Sequence, residues 1–361
     1  MTPRNRFATL LVLALFAAAC GDDGGGDDTA SAPVESAPVG EPADDATASA
    51  PADDAPAEDP ASDDAAPEPA TRILETELGD FEVPARPERI VVTDATVALT
   101  TVLDLGVDVY GTWDVSGTGE PVGLLVTEEE WAGIEIVGSG IEPNIEALAA
   151  SLPDLVLHRP IIDGDIEAIA ELAPVAPLVP SLSWQDDDRF IADALGRQEE
   201  MDALLADYAA RADALAARID AEIGDPSVAV LRIRPDSIRV HTNLHFAGEL
   251  LDDVGLRVPD DFVEEPGPTR ADSTLLVRIS IEQLGTLSDA DYIFVLPVGT
   301  QAQSQEAVDA AVAEVQASAL WQRLPAVQND QVVVVDNYWF VGAHRAANAA
   351  LADVEEIFFG G

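Results

Sequence analysis

The chain has 361 residues, with 68 acidic and 18 basic side chains and a formal charge of -50. Every basic residue is arginine, which excludes chemistry built on a lysine amine, such as a Schiff base or a P-loop lysine. So anionic a chain makes nucleic acid and anionic lipid headgroups poor partners, while 47% hydrophobic residues allow a sizeable core and the length allows two lobes.

Arg4 and Arg6 precede a run from Phe7 to Ala19 that is apolar except for Thr9 and too short to span a bilayer comfortably. Residues 1–19 therefore predict an export signal ending in small side chains. Cys20, the single cysteine, follows three alanines. This ending resembles the lipobox of bacterial lipoproteins, with Ala17 where that family usually has leucine. The resemblance implies that Cys20 is lipidated and becomes the mature N-terminus, a stable anchor on the outer face of the cytoplasmic membrane or in the periplasm. A lone cysteine also excludes structural disulfides and thiolate metal clusters. Residues 21–70 are built from Gly, Asp, Ala, Pro, Ser and Glu, with almost no large apolar side chains and no basic residue. Such a segment cannot bury enough surface to fold, so 20–70 read as the lipidated cysteine and a disordered acidic linker.

From Thr71 onward strand and helix signals alternate. IVVTD (90–94) predicts a strand and ATVALTTVLDLG (95–106) a helix stopped by glycine. DVYG (108–111), LVLH (155–158) and PLV (177–179) predict further short strands. After Pro226 the pattern resumes with VAVLRI (228–233), IRVH (238–241), a helix from Phe246 to Val254, YIFVLP (292–297) and VVVVD (332–336). Alternation of this kind predicts an α/β fold with parallel sheets. Between the halves, no proline or glycine interrupts 197–223, and Met201, Leu204, Leu205, Tyr208, Ala212, Leu215 and Ile219 recur at helical spacing. One helix of about 26 residues, roughly 39 Å long, is expected there as a strut between lobes. The expected organisation is an N-terminal lobe at 71–196, a linking helix at 197–224 and a C-terminal lobe at 225–361.

The halves echo each other. NIEALAASLPDLVL (144–157) and SIEQLGTLSDADYIF (280–294) each run from an N-cap residue through Ile-Glu and a short helix to an aspartate and an apolar strand. Ser280 and Gln283 fit a capping box. Glu146 and Glu282 both fall at the second helical position, where a carboxylate favours the helix dipole.

These stretches, together with VPARPERIVVTD, LDLGVDVYGTW, PDSIRVHTNLHFAGELLDDVGLRVP and LWQRLPAVQNDQVVVVDNYWF, resemble the class III solute-binding proteins of ABC importers. The likeness runs from about Gly79 to Phe358 and is strongest to the ferric-siderophore branch, especially at LRIRPDSIRVH. It implies two Rossmann-like α/β lobes joined by a single long rigid helix, with the ligand cleft between them. It implies capture of a ferric siderophore and its delivery to a dimeric ABC permease, with no catalytic cofactor. Glu146 and Glu282 would then meet the permease, one per lobe. Haem or cobalamin is the alternative cargo within the family, and a surface structural or adhesion lipoprotein is the alternative outside it.

Ligands of such sheets bind beyond the carboxyl ends of the strands. Trp113, Arg159, Trp184, Arg232, Arg234, Tyr338 and Trp339 stand there in the sequence. Guanidinium groups suit the oxygen-rich face of a chelate and aromatic rings its apolar rim, so these seven are the expected pocket wall. In HTNLHFAGE, His241, His245 and Glu249 are spaced by four, but His241 reads as a strand end, so the three would not share a helix face and a pocket or capping role is expected over metal ligation. His158 is the residue that raises the haem alternative. Catalytic motifs are absent: there is no HExxH, GxSxG or phosphate loop.

Overall fold

The computed structural model describes residues 71–114, 125–139, 144–160, 165–299 and 303–360. The export signal, Cys20 and the acidic linker lie outside the described residues. The described chain begins with an antiparallel hairpin, β1 (Thr71–Thr76) and β2 (Gly79–Pro84), turned at Gly79 with φ 116°.

The N-terminal lobe follows. Its elements are β3 (Ile90–Val92), α1 (Val97–Asp104), β4 (Val109–Asp114), α2 (Glu128–Ala132), β5 (Glu135–Ser139), α3 (Ile145–Ser151), β6 (Leu155–His158), α4 (Asp165–Ala170) and β7 (Val175–Pro177). The five strands form one parallel sheet in the order β5-β4-β3-β6-β7. Helices cover both faces, so IVV and LVLH are buried at every position, as continuous apolar strands of a parallel sheet must be. The last strand arrives two residues earlier than PLV predicts. α5 (Trp184–Leu195) closes the lobe and stops at Gly196, which takes the left-handed conformation at φ 66°.

The strut is α6 (Gln198–Glu222), 25 residues without a break. It buries the stripe Met201, Leu205, Tyr208, Ala212, Leu215 and Ile219, which is the periodic set seen in the sequence minus half-buried Leu204. At 1.5 Å per residue it is about 38 Å long, consistent with the expected span.

The C-terminal lobe comprises β8 (Val228–Arg234), β9 (Ser237–His241), α7 (Phe246–Asp253), β10 (Leu276–Ile279), β11 (Tyr292–Leu296), α8 (Gln305–Ala317), α9 (Pro325–Gln328), β12 (Val332–Val334) and α10 (His344–Phe359). Its strand order is β10-β9-β8-β11-β12. Here the expectation of parallel sheets needs correction. β8, β11 and β12 are parallel, but β9 and β10 are antiparallel additions. Pro235 and Asp236 turn the chain straight back from Arg234 to Ser237, and a two-residue turn can join only antiparallel strands.

A second fastening besides α6 joins the lobes. The Arg345 guanidinium, on the first turn of α10, reaches Asp104 at the end of α1 (2.7 Å), the Leu125 carbonyl (2.8 Å) and Glu130 of α2 (3.1 Å). His344 Nδ1 lies 2.9 Å from the other Asp104 oxygen. The His344 backbone N–H donates to Asp188 Oδ2 (2.8 Å), and the Thr101 hydroxyl donates to Asp188 Oδ1 (2.6 Å). Burial pushes the fully buried Asp188 carboxyl up to about 7, against the hydrogen bonds from Thr101 and the His344 backbone.

Candidate functional site

Between the lobes lies a cavity of about 260 Å³. The N-terminal lobe contributes Asp94 and Arg159 from loops after β3 and β6, and Val179 and Pro180 from the loop after β7. α5 contributes Trp184, Asp187 and Phe190, and the C-terminal lobe contributes His245, Phe246, Glu249, Arg270 and Phe340. A wider groove of about 1040 Å³ adjoins it and shares Arg159, Arg270, Asp187 and Phe190, so the two guanidiniums stand at the junction of an inner chamber and its mouth. Together they are ample for a ligand of several hundred daltons, since small-molecule sites run to about 1,000 Å³.

Local structure explains why these groups converge. Asp94 caps the turn before α1 by accepting from the Thr96 and Val97 backbone N–H groups, and its second oxygen pairs with Arg159 Nη1 at 3.1 Å. Ser183 precedes α5 and starts it at Trp184, whose ring stands edge-on to Tyr208 (4.9 Å) and Phe246 (6.2 Å). Gly342 is required opposite it, because a Cβ there would lie 2.8 Å from that of Trp184. Arg270 Nη1 donates to the Ser181 carbonyl at 2.7 Å. Asp187 accepts from the Ser181 N–H at 2.7 Å, and burial raises its carboxyl above the usual range.

The histidine stretch resolves into a cap. His241 ends β9, His245 is the N-cap of α7, and Glu249 lies in the first turn of α7. His245 Nδ1 accepts from the Ala247 N–H, which leaves the ring proton on Nε2. The two imidazoles pack at a tilt with centroids 4.0 Å apart, and His245 also packs at a tilt against Phe340 at 5.2 Å. Burial, with Arg270 and Arg232 nearby, holds the His245 imidazole down to about 3, so it is a neutral donor. Among the described residues no group of three metal-ligating side chains comes together.

The expected wall residues divide. Arg159 and Trp184 line the cavity. Trp113 does not: it is 2% exposed in the N-lobe core, edge-on to His158 at 5.9 Å. Trp339 is also core, fully buried against Phe294, and donates from Nε1 to Asp353 of α10 at 2.8 Å. The Tyr338 hydroxyl donates to the same carboxylate (2.7 Å) and lines a separate groove. Side-chain parity is the physical reason. The short 3-10 turn at Asn337–Phe340 sends Trp339 inward and its neighbour Phe340 to the cavity. His158 is buried 3.0 Å from Asp165 and bonded to Thr93, so the basis of the haem alternative is not on the cleft.

Arg232 and Arg234 do not line the cavity itself but begin something larger. Arg232 lies over the Phe340 ring at 4.0 Å and donates to the Val298 and Gly299 carbonyls (3.0 and 2.9 Å). In the antiparallel register Arg232 is opposite Arg239, and Arg239 is opposite Arg278. Paired residues share a sheet face, and Arg234 is two residues on, so four arginines occupy one face of β8, β9 and β10. Arg239 and Arg278 were not singled out in the sequence, because only the strand register reveals them. Asp187, Arg270 and Phe340 were missed as wall residues too, whereas His245 and Glu249, for which a pocket or capping role was expected, do line the cavity.

Glu146 and Glu282 are both exposed, each two residues past its cap. Asn144 accepts from the Ala147 N–H, and Ser280 and Gln283 form the expected capping box. Hydrogen bonding, first from Ser280, holds the Glu282 carboxyl below its ordinary value.

A family profile described as "Periplasmic binding protein" matches residues 125–338. YfiY of Bacillus subtilis, a probable siderophore-binding lipoprotein, is 28% identical over 297 residues, covering 80% of this chain and 88% of its own. The achromobactin-binding periplasmic protein of Dickeya dadantii is 25% identical over 277 residues, covering 75% of this chain and 86% of its own. Among solved structures, Staphylococcus aureus SirA complexed with staphyloferrin B has the same fold at a TM-score of 0.68 and 23% identity, with 80% of this chain and 98% of that one covered.

Burial lifts the Glu249 carboxyl to about 8, helped by Asp253 and opposed by the Trp184 backbone and Arg270. The folded value lies above the unfolded one, so this group's contribution to stability is full below about pH 4.5 and is lost as pH rises through about 8. Glu249→Gln should therefore flatten the fall in unfolding free energy between pH 5 and 8, read by urea titration. An unchanged slope would show that Glu249 ionises normally.

Proposed function

The chain belongs to the periplasmic binding protein family, and we propose that it captures a ferric siderophore outside the cytoplasmic membrane and hands it to an ABC permease. One observation carries the reading: an interlobe chamber with two arginines at its mouth and Trp184, Phe246 and Phe340 on its walls. A ferric chelate presents oxygen-rich, electron-dense faces to guanidiniums and a hydrocarbon periphery to rings. The relatives named for siderophore binding support the same cargo.

Ferric chelates titrated into the full chain in mild detergent should quench tryptophan fluorescence with submicromolar affinity, about -8 kcal/mol or better. Trp184→Phe should remove much of the quench. Arg270→Ala should weaken binding by about tenfold or more, since Arg270 spans chamber and mouth. No response to a panel of ferric catecholates, hydroxamates and carboxylates would sink the proposal.

The anchor belongs to the same proposal. The motif at Cys20 supports lipidation, and a second support is the Bacillus relative named as a lipoprotein. Cys20→Ser should move the protein from the membrane fraction to the soluble one. An unchanged partition would refute the anchor.

Docking is proposed through Glu146 and Glu282, which are exposed and stand at equivalent helix starts in the two lobes. One carboxylate per lobe suits a partner with two like subunits. Exposed pairs contribute only about 0.2 to 1 kcal/mol each, so either single change should be mild. Glu146→Ala with Glu282→Ala should sharply reduce chelate uptake in cells and leave chelate affinity in vitro unchanged. Normal uptake by the double variant, or lost chelate binding, would leave both residues as plain helix-start carboxylates.

A further inference from the structure

Resting on the siderophore reading, we infer that the groove outside the chamber seats a hydrocarbon arm. The cargo is then an amphiphilic ferric chelate, with its head beside Arg159 and Arg270 and an acyl chain along Val179, Pro180, Leu182, Phe190, Pro268 and Leu275.

The chamber alone is too small for a whole chelate. It holds about 260 Å³, below the roughly 300 to 1,000 Å³ of ordinary small-molecule sites, while the adjoining groove holds about 1040 Å³. A chelate that enters the chamber therefore extends past the two guanidiniums. The groove decides what chemistry that outer part can have.

Both lobes give the groove apolar walls. Val179, Pro180 and Leu182 come from the loop between β7 and α5, Phe190 from α5, and Pro268 and Leu275 from the loop before β10. Val179, Leu182 and Leu275 belong to neither packed core. Val179 and Pro268 are exposed, and Leu182 and Leu275 are half-buried. Single exposed apolar side chains are ordinary, but a strip of them continuous with a ligand chamber marks a surface that something covers.

The strip is fixed by its own hydrogen bonds. The Ser181 N–H donates to Asp187, and the Ser181 hydroxyl donates to the Ser183 carbonyl at 2.7 Å. Arg270 Nη1 ties the Ser181 carbonyl to the opposite loop at 2.7 Å. That loop is closed on itself. The Ser273 hydroxyl donates to the Thr269 carbonyl (2.8 Å) and accepts from the Gly267 N–H (2.9 Å), and the Thr269 hydroxyl donates to Asp272 (2.8 Å). Pro180 and Pro268 add fixed φ angles. Walls ordered in advance lower the entropic cost of seating a chain on them.

Charge points the same way. Glu75, Glu77 and Asp186 are exposed and border the same groove. Arg159 is paired with Asp94, and Arg270 has Asp187 and Glu249 near it. An anionic outer arm would face three carboxylates, with both guanidiniums already engaged. A hydrocarbon arm lies on the apolar strip and leaves those carboxylates in water. Each methylene buried in this way raises affinity by about fourfold at most.

The test uses the full chain in mild detergent and two ferric heads, N-acylated ferrioxamine B and a linear tris-catecholate, each carrying an acetyl or an octanoyl group. Binding is read by equilibrium dialysis against protein-free detergent, which cancels uptake of the tail by micelles. On whichever head binds, the octanoyl form should bind about tenfold or more tightly than the acetyl form. Leu182→Ser with Leu275→Ser should cut that ratio to about threefold or less. Ala271→Asp, at an exposed position on the same wall, should do the same. Octanoylglycine, a tail without a head, should not displace the octanoyl chelate at equal concentration. Four results each overturn the groove assignment and leave the siderophore reading standing: equal affinity for the two tails, a ratio unchanged in both folded variants, displacement by octanoylglycine, or tightest binding of unacylated ferrioxamine B, whose arm ends in an ammonium. If neither head binds with either tail, the groove assignment falls, and the siderophore reading falls with it only when the wider panel of ferric chelates fails as well.

Discussion

The spacing of the two lobes is the constraint on which the site depends. A cavity lined from both sides has a defined volume only if its walls are held at a defined distance. α6 does this along its apolar stripe, and the cluster of Asp104, Asp188, His344 and Arg345 does it again at a second point. The cluster is not a set of isolated surface pairs. Asp104 and His344 side chains are each 13% exposed and Arg345 20%, and Arg345 is held by three separate acceptors, a geometry in which ion pairs exceed the small contribution of exposed ones. The same chain segments serve both purposes. Asp188 in the lock is next to Asp187 on the chamber wall, and Phe340 to Gly342 on the wall lead directly into His344. A change of lobe spacing would therefore shift the wall residues themselves.

Electrostatics within this frame is uneven. Two carboxylates of the chamber are kept by burial from ionising freely, Glu249 near 8 and Asp187 also raised. His245, pushed down to about 3, stays neutral. The chamber thus presents neutral donors and rings in its depth and guanidiniums at its mouth, inside a chain whose net charge is -50. Burial shapes this pattern as much as the count of charged residues does.

Much of the frame was legible in the sequence. Long runs and periodicities were read correctly: LVLH at 155–158, the helix at 246–253 and the unbroken 25-residue strut all appear where their patterns place them. The site was legible only in part. Arg159 and Trp184 reach the cavity, but Trp113 and Trp339 are core, because one step reverses a side chain's direction at a strand end and rotates it by about a third of a turn in a 3-10 helix. Asp353, fourteen residues beyond Trp339, supplies the acceptor that lets an indole N–H and a phenol be turned inward together. No local pattern announces such a partner. Arg239 and Arg278 lie 39 residues apart, and only the pairing of β9 with β10 puts them side by side.

That pairing also gives meaning to the one departure from a parallel sheet. In a parallel ladder, the strands following β8 would return through helices, and their carboxyl ends would point the same way. The two-residue turn at Pro235–Asp236 instead folds β9 back on β8, and β10 lies antiparallel to β9 in turn. Antiparallel pairing sets residues directly opposite one another with their side chains on a common face. Arginines placed near the end of β8, in the middle of β9 and near the end of β10 thereby become neighbours beside the cleft, although they come from three separate stretches of chain. The repulsion among them is a cost to the folded protein. The irregular hairpin and the arginine row are thus one feature: the sheet gives up parallel order at its edge and gains a line of guanidiniums that parallel order would have scattered.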